Sequence, residues 1–105
     1  MIKVYNKAIR DKVPEIIEAS GASCIVHVLD DEKFVDKLVI KLDEEIEEYK
    51  ESKSIEELCD LIEISYRIAE INGVSNKELE EIIKKKNRER GKFKKNLYLI
   101  QVNEK

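Results

Sequence analysis

Residues 42–60 read LDEEIEEYKESKSIEELCD, and this stretch decides the fold because it holds the end of one helix, a turn and the start of another. Acidic residues recur three positions apart on both sides of the turn: Glu45 and Glu48 before it, Glu57 and Asp60 after it. Residues three apart on a helix are neighbours on one face. Two such helices packed together are therefore expected to gather four carboxylates in one place.

Carboxylates held this close repel one another, so the cluster is costly without a compensating cation. Hard oxygen ligands suit Mg²⁺, and Mn²⁺ is also possible. Each residue alone has an ordinary structural alternative. Glu45 can pair with Lys41 one turn earlier, and Glu57 can close a capping box that opens at Ser54.

A helical wheel separates the acidic residues by direction. Glu45 and Glu48 flank the apolar stripe of the first long helix, whereas Glu44 points away from it. Glu57 and Asp60 continue an apolar stripe of the following helix. Because an unpaired charge on a buried face costs several kcal/mol, this placement favours a shared cation over four separate surface charges.

The rest of the chain predicts a mainly α fold in a single domain, residues 1–105. Capping residues, glycine stops and helical spacing of apolar residues predict helices over about 11–20, 31–51, 55–71 and 76–90. Two short β-branched runs, residues 24–29 and 96–102, are predicted as strands that pair with each other. We therefore expect an antiparallel helical bundle with a small two-stranded β element.

Composition places limits on the surroundings of the protein. Hydrophobic residues make up 42% of the 105, so the chain can form a core despite 41% charged residues. It has neither an apolar run long enough for a membrane span nor a signal-peptide pattern, so we expect a cytoplasmic protein without a membrane partner. The third predicted helix is apolar around most of its girth, which favours a central position or a subunit interface.

Charge is distributed unevenly along the chain. Residues 30–63 contain 14 acidic and 5 basic side chains, whereas residues 84–95 contain 8 basic and 1 acidic. An acidic centre is suited to metal and a basic end to phosphate, although two solvated faces of opposite sign would look the same. The basic end lacks interleaved aromatic residues, so nucleic acid is an unlikely partner.

Three motifs in order resemble a known family. They are NKAIRDKVPEII at residues 6–17, the acidic motif from Glu44 to Asp60, and KNRERGKF at residues 86–93. Together they resemble the all-α nucleoside triphosphate pyrophosphatases of the MazG-like type, and in particular their short phosphoribosyl-ATP pyrophosphohydrolase-like branch. Eight residues separate Glu48 from Glu57, fewer than is usual in that family, which requires a tight turn.

The resemblance implies Mg²⁺-dependent hydrolysis of a nucleotide between its α- and β-phosphates, giving a monophosphate and pyrophosphate. It implies metal binding by Glu45, Glu48, Glu57 and Asp60, activation of water by Glu48 or Glu45, and a supporting role for Glu44. Candidates to bind the phosphate tail are Arg10, Lys12, Lys86, Asn87 and Arg90. Family members form dimers or larger oligomers, so we expect a homodimer or higher homo-oligomer.

Two other functions remain open at this point. The chain could be a catalytically silent helical oligomer that keeps the scaffold without the reaction. It could also be a phosphate-binding or nucleic-acid-binding module that uses its basic end. The sequence leaves the base and sugar of a nucleotide substrate undetermined.

Overall fold

The computed structural model describes residues 1–104 and contains four helices. They are α1 (Val13–Ala19), α2 (Asp31–Ser52), α3 (Ile55–Ile71) and α4 (Asn76–Arg90). No strand occurs in these residues. The prediction of a mainly α chain is confirmed, and the predicted limits of α3 and α4 agree with the structure.

The first helix is short and begins later than predicted. Its N-cap is Lys12, which makes no side-chain cap, so Asp11 does not cap the helix as expected. Pro14 lies in the first turn, where a missing backbone N–H costs nothing. Gly21 follows the last turn with φ +93°, a conformation that an L side chain rarely adopts.

A tight turn of two residues joins α2 to α3. Lys53 ends α2 in the left-handed conformation, with φ 57°, and its N–H donates to the Tyr49 carbonyl. Ser54 then caps α3 by accepting a 3.2 Å hydrogen bond from the N–H of Glu56. The capping box predicted for Glu57 does not form. The Glu57 carboxylate instead accepts a 3.4 Å hydrogen bond from the Ser52 hydroxyl.

Contacts along α2 and α3 show which parts of the two helices lie together. Asp31 at the start of α2 forms an ion pair of 3.7 Å with Arg67 near the end of α3. Ser52 at the end of α2 reaches Glu57 at the start of α3. The acidic positions near the turn are thereby brought to one end of the helix pair.

The fourth helix begins with the capping box predicted from the sequence. Ser75 accepts from the N–H of Glu78, and the Glu78 carboxylate accepts from the N–H of Ser75. Tyr66 on α3 donates a 3.5 Å hydrogen bond to Glu80 on α4. Gly91, with φ 80°, ends the helix as predicted.

The buried core is very small and includes one residue from outside the helices. It consists of Ala8, Leu38 and Ile64, each about 5% to 6% exposed. Partly buried apolar side chains surround it: Phe34, Leu42, Ile68 and Ile71. Because Ala8 packs between α2 and α3, the stretch 7–12, called here the N-terminal segment, is held against the helix pair.

The predicted two-stranded element is not seen, and this part of the prediction is wrong for the single chain. Residues 24–29 and 96–102 belong to no strand and make no backbone–backbone hydrogen bond within residues 1–104. Asn96 has φ 54°, which breaks an extended conformation at the predicted start of the second strand. Propensity alone does not form a strand, because its hydrogen bonds need a neighbouring chain segment.

None of the helices in residues 1–104 combines the length and the apolar character that crossing a bilayer requires.

Candidate metal centre

Three of the predicted metal ligands meet where α2 turns into α3. Glu45, Glu48 and Glu57 each offer a carboxylate oxygen, and these oxygens lie within 4.8 Å of one another. We call these residues the glutamate cluster. The two glutamates of α2 are three residues apart, and the short turn brings the first turn of α3 beside them.

Glu45 is the deepest member of the cluster. Its residue is only 5% exposed, and it is the one buried charged residue in the described part of the chain. Lys41 lies 3.7 Å from its Oε1, but its Oε2 is buried and has no hydrogen-bond partner. Buried polar atoms in folded proteins are nearly always hydrogen-bonded. A buried carboxylate oxygen without a partner, on a residue that belongs to a group of carboxylates, is therefore a place where a cation would fit.

The electrostatics at Glu45 follow from this placement. The pKa of its carboxyl is raised from 4.5 to about 7, mainly by burial and then by the negative charges of Glu48 and Asp60. Lys41 opposes the effect without cancelling it. The charged form of Glu45 is thus destabilised in the absence of a cation, which is what repulsion within a shared carboxylate site predicts.

The fourth predicted ligand, Asp60, lies beside the cluster but is not grouped with it. Its Oδ1 accepts a 2.5 Å hydrogen bond from Arg10 of the N-terminal segment. The same hydrogen bond raises the pKa of the Arg10 guanidinium above its ordinary value, so Arg10 stays cationic. The structure therefore brings three of the four carboxylates together and pairs the fourth with a cation.

Glu44 is half-buried rather than turned fully to solvent. Its carboxylate accepts a 3.3 Å hydrogen bond from Lys7, thirty-seven residues away in the chain. The contact fastens the N-terminal segment to α2, just as Arg10 fastens it to α3. Glu44 is not a member of the glutamate cluster, and its supporting role stays a prediction.

A cavity of about 380 Å³ opens between the N-terminal segment and the helix pair. Its floor is formed by core side chains such as Phe34 and Leu38. Charged groups line the rest, namely Arg10, Asp11, Lys12, Lys41, Asp60, Glu63 and Arg67. Its volume lies at the low end of the range for small-molecule sites, and its lining mixes apolar and charged side chains.

A second cavity of about 240 Å³ connects the features described so far. Lys7, Arg10 and Lys41 line it together with Glu45 and Asp60. Arg10, Lys41 and Asp60 line both cavities. The glutamate cluster and the larger cavity are therefore neighbours that share residues.

The predicted phosphate-binding residues divide into two groups. Arg10 and Lys12 line the larger cavity, and their binding of phosphate stays a prediction. Lys86, Asn87 and Arg90 lie on α4 and line neither of the two cavities. Lys86 and Arg90 are exposed and Asn87 is half-buried.

Two cations of the site are not predicted from the sequence: Lys7 and Arg67. Lys7 pairs with Glu44, and Arg67 lines the larger cavity while it pairs with Asp31 and Glu70. A third cation, Lys41, is anticipated only as an alternative partner of Glu45. The sequence feature that could have indicated Arg67 is helical spacing. Arg67 lies seven residues after Asp60, which is two turns along the same face of α3.

The donor set fits a hard divalent cation. All its donors are carboxylate oxygens, which is the ligand type that Mg²⁺ and Mn²⁺ prefer over nitrogen or sulfur. One of the oxygens is buried without a partner, and the excess negative charge is not neutralised by Lys41. Glu48 is exposed, so solvent and ligands reach the cluster from that side.

Comparison of the chain with protein-family models, with curated proteins and with solved structures gives no match.

Proposed function

We propose that the protein is a Mg²⁺-dependent nucleoside triphosphate pyrophosphohydrolase of the MazG-like type, with α2 and α3 as an antiparallel pair. The observation that carries the proposal is the buried Glu45 Oε2, which lacks a partner and belongs to a residue of the glutamate cluster. The proposal joins this cluster to the neighbouring larger cavity, which is lined by four basic and three acidic side chains. A cation site beside a phosphate site is what hydrolysis of a polyphosphate requires.

Glu45, Glu48 and Glu57 are proposed to hold the cation, and Asp60 to join them when Arg10 releases it. The bound Mg²⁺ would supply charge neutralisation for the phosphate oxygens and for the charge that develops in the transition state. Mn²⁺ has similar ligand preferences and is expected to substitute for it. Lys41 would keep Glu45 in place, since their side chains are already paired.

The larger cavity is proposed to bind the nucleotide. Arg10 and Lys12 would bind the phosphate tail, and the planar fork of Arg10 allows two parallel hydrogen bonds to one phosphate. The apolar floor around Phe34 and Leu38 offers a surface for a base or sugar. Lys86, Asn87 and Arg90 remain candidates for the phosphate tail only if another copy of the chain presents them.

The reaction needs a carboxylate that can accept a proton from water. We assign this role to Glu48, because it is the exposed member of the cluster, whereas Glu45 is buried and paired with Lys41. The water oxygen forms a bond to phosphorus, while the same phosphorus loses its bond to the oxygen that bridges the α- and β-phosphates. The water proton passes to the Glu48 carboxylate, and the products are a nucleoside monophosphate and pyrophosphate.

A pyrophosphate-release assay on a panel of nucleoside triphosphates and phosphoribosyl nucleotides tests the proposal. With Mg²⁺ present, we expect release from at least one of them. Glu48→Gln should lower kcat by roughly 10²- to 10⁴-fold, the usual contribution of a general base. Glu47→Gln is the matched control, because Glu47 is the next residue on α2, is exposed and pairs only with Lys50 in the structure.

The outcomes distinguish the proposal from its alternatives. No release from any nucleotide, together with magnesium binding detected by calorimetry, would favour a catalytically silent scaffold. Salt-sensitive retention of RNA or DNA without hydrolysis would favour a nucleic-acid-binding module. Equal loss of activity in Glu48→Gln and Glu47→Gln would contradict the assignment of Glu48.

A further inference from the structure

The chain exposes far more surface than a compact protein of its size. Its accessible area is 9867 Å², whereas a folded monomer of 12.3 kDa exposes about 6,100 Å². Its radius of gyration is 18.3 Å, compared with about 13 Å for a compact domain of this length. The excess of roughly 3,800 Å² per chain, or about 7,600 Å² for two chains, exceeds the area of a standard interface and lies beyond about 5,000 Å², in the upper range for obligate dimers.

Much of the apolar part of this surface lies in two segments without regular secondary structure, residues 24–29 and 97–102. Val28 is 100% exposed, Ile25 91% and Leu97 87%. The remaining large apolar side chains of the two segments are also exposed: Val26, Leu29, Tyr98, Leu99, Ile100 and Val102. Large apolar patches of this kind mark interaction sites rather than free surface.

The backbone of the two segments is unpaired as well. Neither takes part in a backbone–backbone hydrogen bond within the described residues. Folded proteins form about one internal hydrogen bond per residue, so this is a local deficit. An extended apolar segment with free N–H and C=O groups is a template for β pairing.

We propose that the two segments form a homodimer interface in which residues 97–102 of one copy pair, as a β strand, with residues 24–29 of the other. A twofold axis repeats the pairing, because in an isologous dimer each contact occurs twice. Each copy thus contributes two strands, and every strand has a partner. The proposal does not depend on the catalytic function of the chain.

Charge complementarity sets the direction of the pairing. An antiparallel register that places Leu97 opposite Leu29 also places Val102 opposite Cys24. Just beyond the paired residues, it brings the lysines at positions 92, 94 and 95 toward Asp30 and Asp31 at the acidic start of α2. A parallel register that places Leu97 opposite Cys24 would instead bring Lys95 and Lys94 toward Ala22 and Gly21, which carry no charge. Opposite charges facing each other stabilise a strand pair, whereas the parallel arrangement offers no such contact.

The amount of exposed surface favours pairing with a second copy over pairing within one chain. Two six-residue strands pairing within the chain would leave the apolar side chains of α3, such as Ile55 and Ile62, still exposed. Ile55 is 68% and Ile62 56% exposed, so α3 offers apolar surface that a second copy can also cover. A monomer in which the two segments paired with each other would still expose most of the excess accessible area.

Disulfide trapping tests the pairing and its register. The two native cysteines, Cys24 and Cys59, are both free, so Cys59→Ser leaves Cys24 as the only thiol. Adding Val102→Cys should give, on mild oxidation, a covalent dimer on a non-reducing gel, because facing antiparallel residues meet the distance for a disulfide. Asn103→Cys in the same background is the control, since the next residue along a strand points to the other face.

Sedimentation and hydrogen exchange test the same inference without new cysteines. The unmodified chain is expected to sediment as a dimer, with slow amide exchange in residues 24–29 and 97–102. Leu99→Lys should weaken the dimer at least about tenfold, as expected for a central apolar contact. Ile16→Lys, at an exposed apolar position on α1, should leave the dimer unchanged.

Three results would overturn the proposal. One is a monomer by sedimentation at all concentrations up to the millimolar range. Another is an internal disulfide between Cys24 and Val102→Cys in a monomeric product, which would show pairing within one chain. The last is equally efficient dimer trapping through Val102→Cys and Asn103→Cys, which would show nonspecific collision.

Discussion

The α2–α3 pair and the two segments 24–29 and 97–102 are both rich in apolar residues, yet only the pair forms regular structure in the single chain. The helices satisfy their backbone hydrogen bonds internally, so they need a neighbour only for their apolar faces. A strand needs a neighbour for its backbone as well as for its side chains. The difference teaches that helical backbone is satisfied within one chain, whereas the two segments make no backbone–backbone hydrogen bond within the described residues.

Substituting one apolar residue in each region should give the largest difference in the free energy of unfolding between the two regions. Leu38→Ala removes a core side chain and should lower the free energy of unfolding by about 2–5 kcal/mol, because it leaves a cavity. The loss should be the same at low and high protein concentration. Val28→Ala, at a fully exposed position, should cost little in dilute protein. Urea unfolding at two protein concentrations measures both effects.

The difference between the two regions would be contradicted if, in dilute protein, Val28→Ala lowered the free energy of unfolding as much as Leu38→Ala does. Such a result would mean that residues 24–29 belong to the core of the single chain. A cost at Val28 that grows with protein concentration would sharpen the comparison, since only an associated species would then contain the contact.

The two regions also differ in how far the sequence predicts them. The limits of α3 and α4 follow from local signals, the caps at Ser54 and Ser75 and the glycine stops. The meeting of Glu45, Glu48 and Glu57 follows from helical spacing and the short turn. These predictions succeed because residues close in sequence decide them.

Other features depend on contacts between residues far apart in the chain. The bonds from Lys7 to Glu44 and from Arg10 to Asp60 span 37 and 50 residues. Ala8 enters the core from a segment without apolar periodicity, so no spacing rule indicates it. The strand prediction is wrong for the single chain, because β propensity describes a surface that pairs and does not supply the segment with which it pairs.

Within the helix pair, the glutamate cluster should make stability fall as pH rises when no metal is present. The pKa of Glu45 is raised from 4.5 to about 7, so the folded protein holds a proton that the unfolded chain releases. The proton on Glu45 contributes its full stabilisation of the folded state below pH 4.5. This contribution is lost as the pH rises to about 7, so the free energy of unfolding falls by at most about 3 kcal/mol. Thermal unfolding in chelator between pH 4.5 and 8 measures it.

Two controls make this pH dependence specific. Glu45→Gln should flatten the profile, because a neutral amide has no proton to lose, while Glu47→Gln on the exposed face of α2 should not change it. Added Mg²⁺ should restore stability at pH 8 in the unmodified protein and not in Glu45→Gln. A flat profile in the unmodified protein would contradict the assignment of Glu45 as a buried, destabilised carboxylate.

The smallest effect on stability is expected where the N-terminal segment meets α3, at the ion pair between Arg10 and Asp60. The two side chains are 55% and 32% exposed, so solvent screens their attraction, and Arg10→Ala should cost only about 0.5–1 kcal/mol. The effect on nucleotide binding should be larger, because Arg10 lines both cavities and is proposed to bind the phosphate tail. We expect KM to rise about tenfold or more while the unfolding free energy barely changes.

Arg10→Lys separates charge from geometry at the same position. It keeps the positive charge beside Asp60, so stability should match that of the unmodified chain, but it loses the planar fork that binds one phosphate through two hydrogen bonds. Its KM should therefore lie between those of Arg10→Ala and the unmodified protein. If Arg10→Ala instead lowered stability strongly and left KM unchanged, Arg10 would serve only to fasten the N-terminal segment to α3, and the cavity beside it would not be the phosphate site.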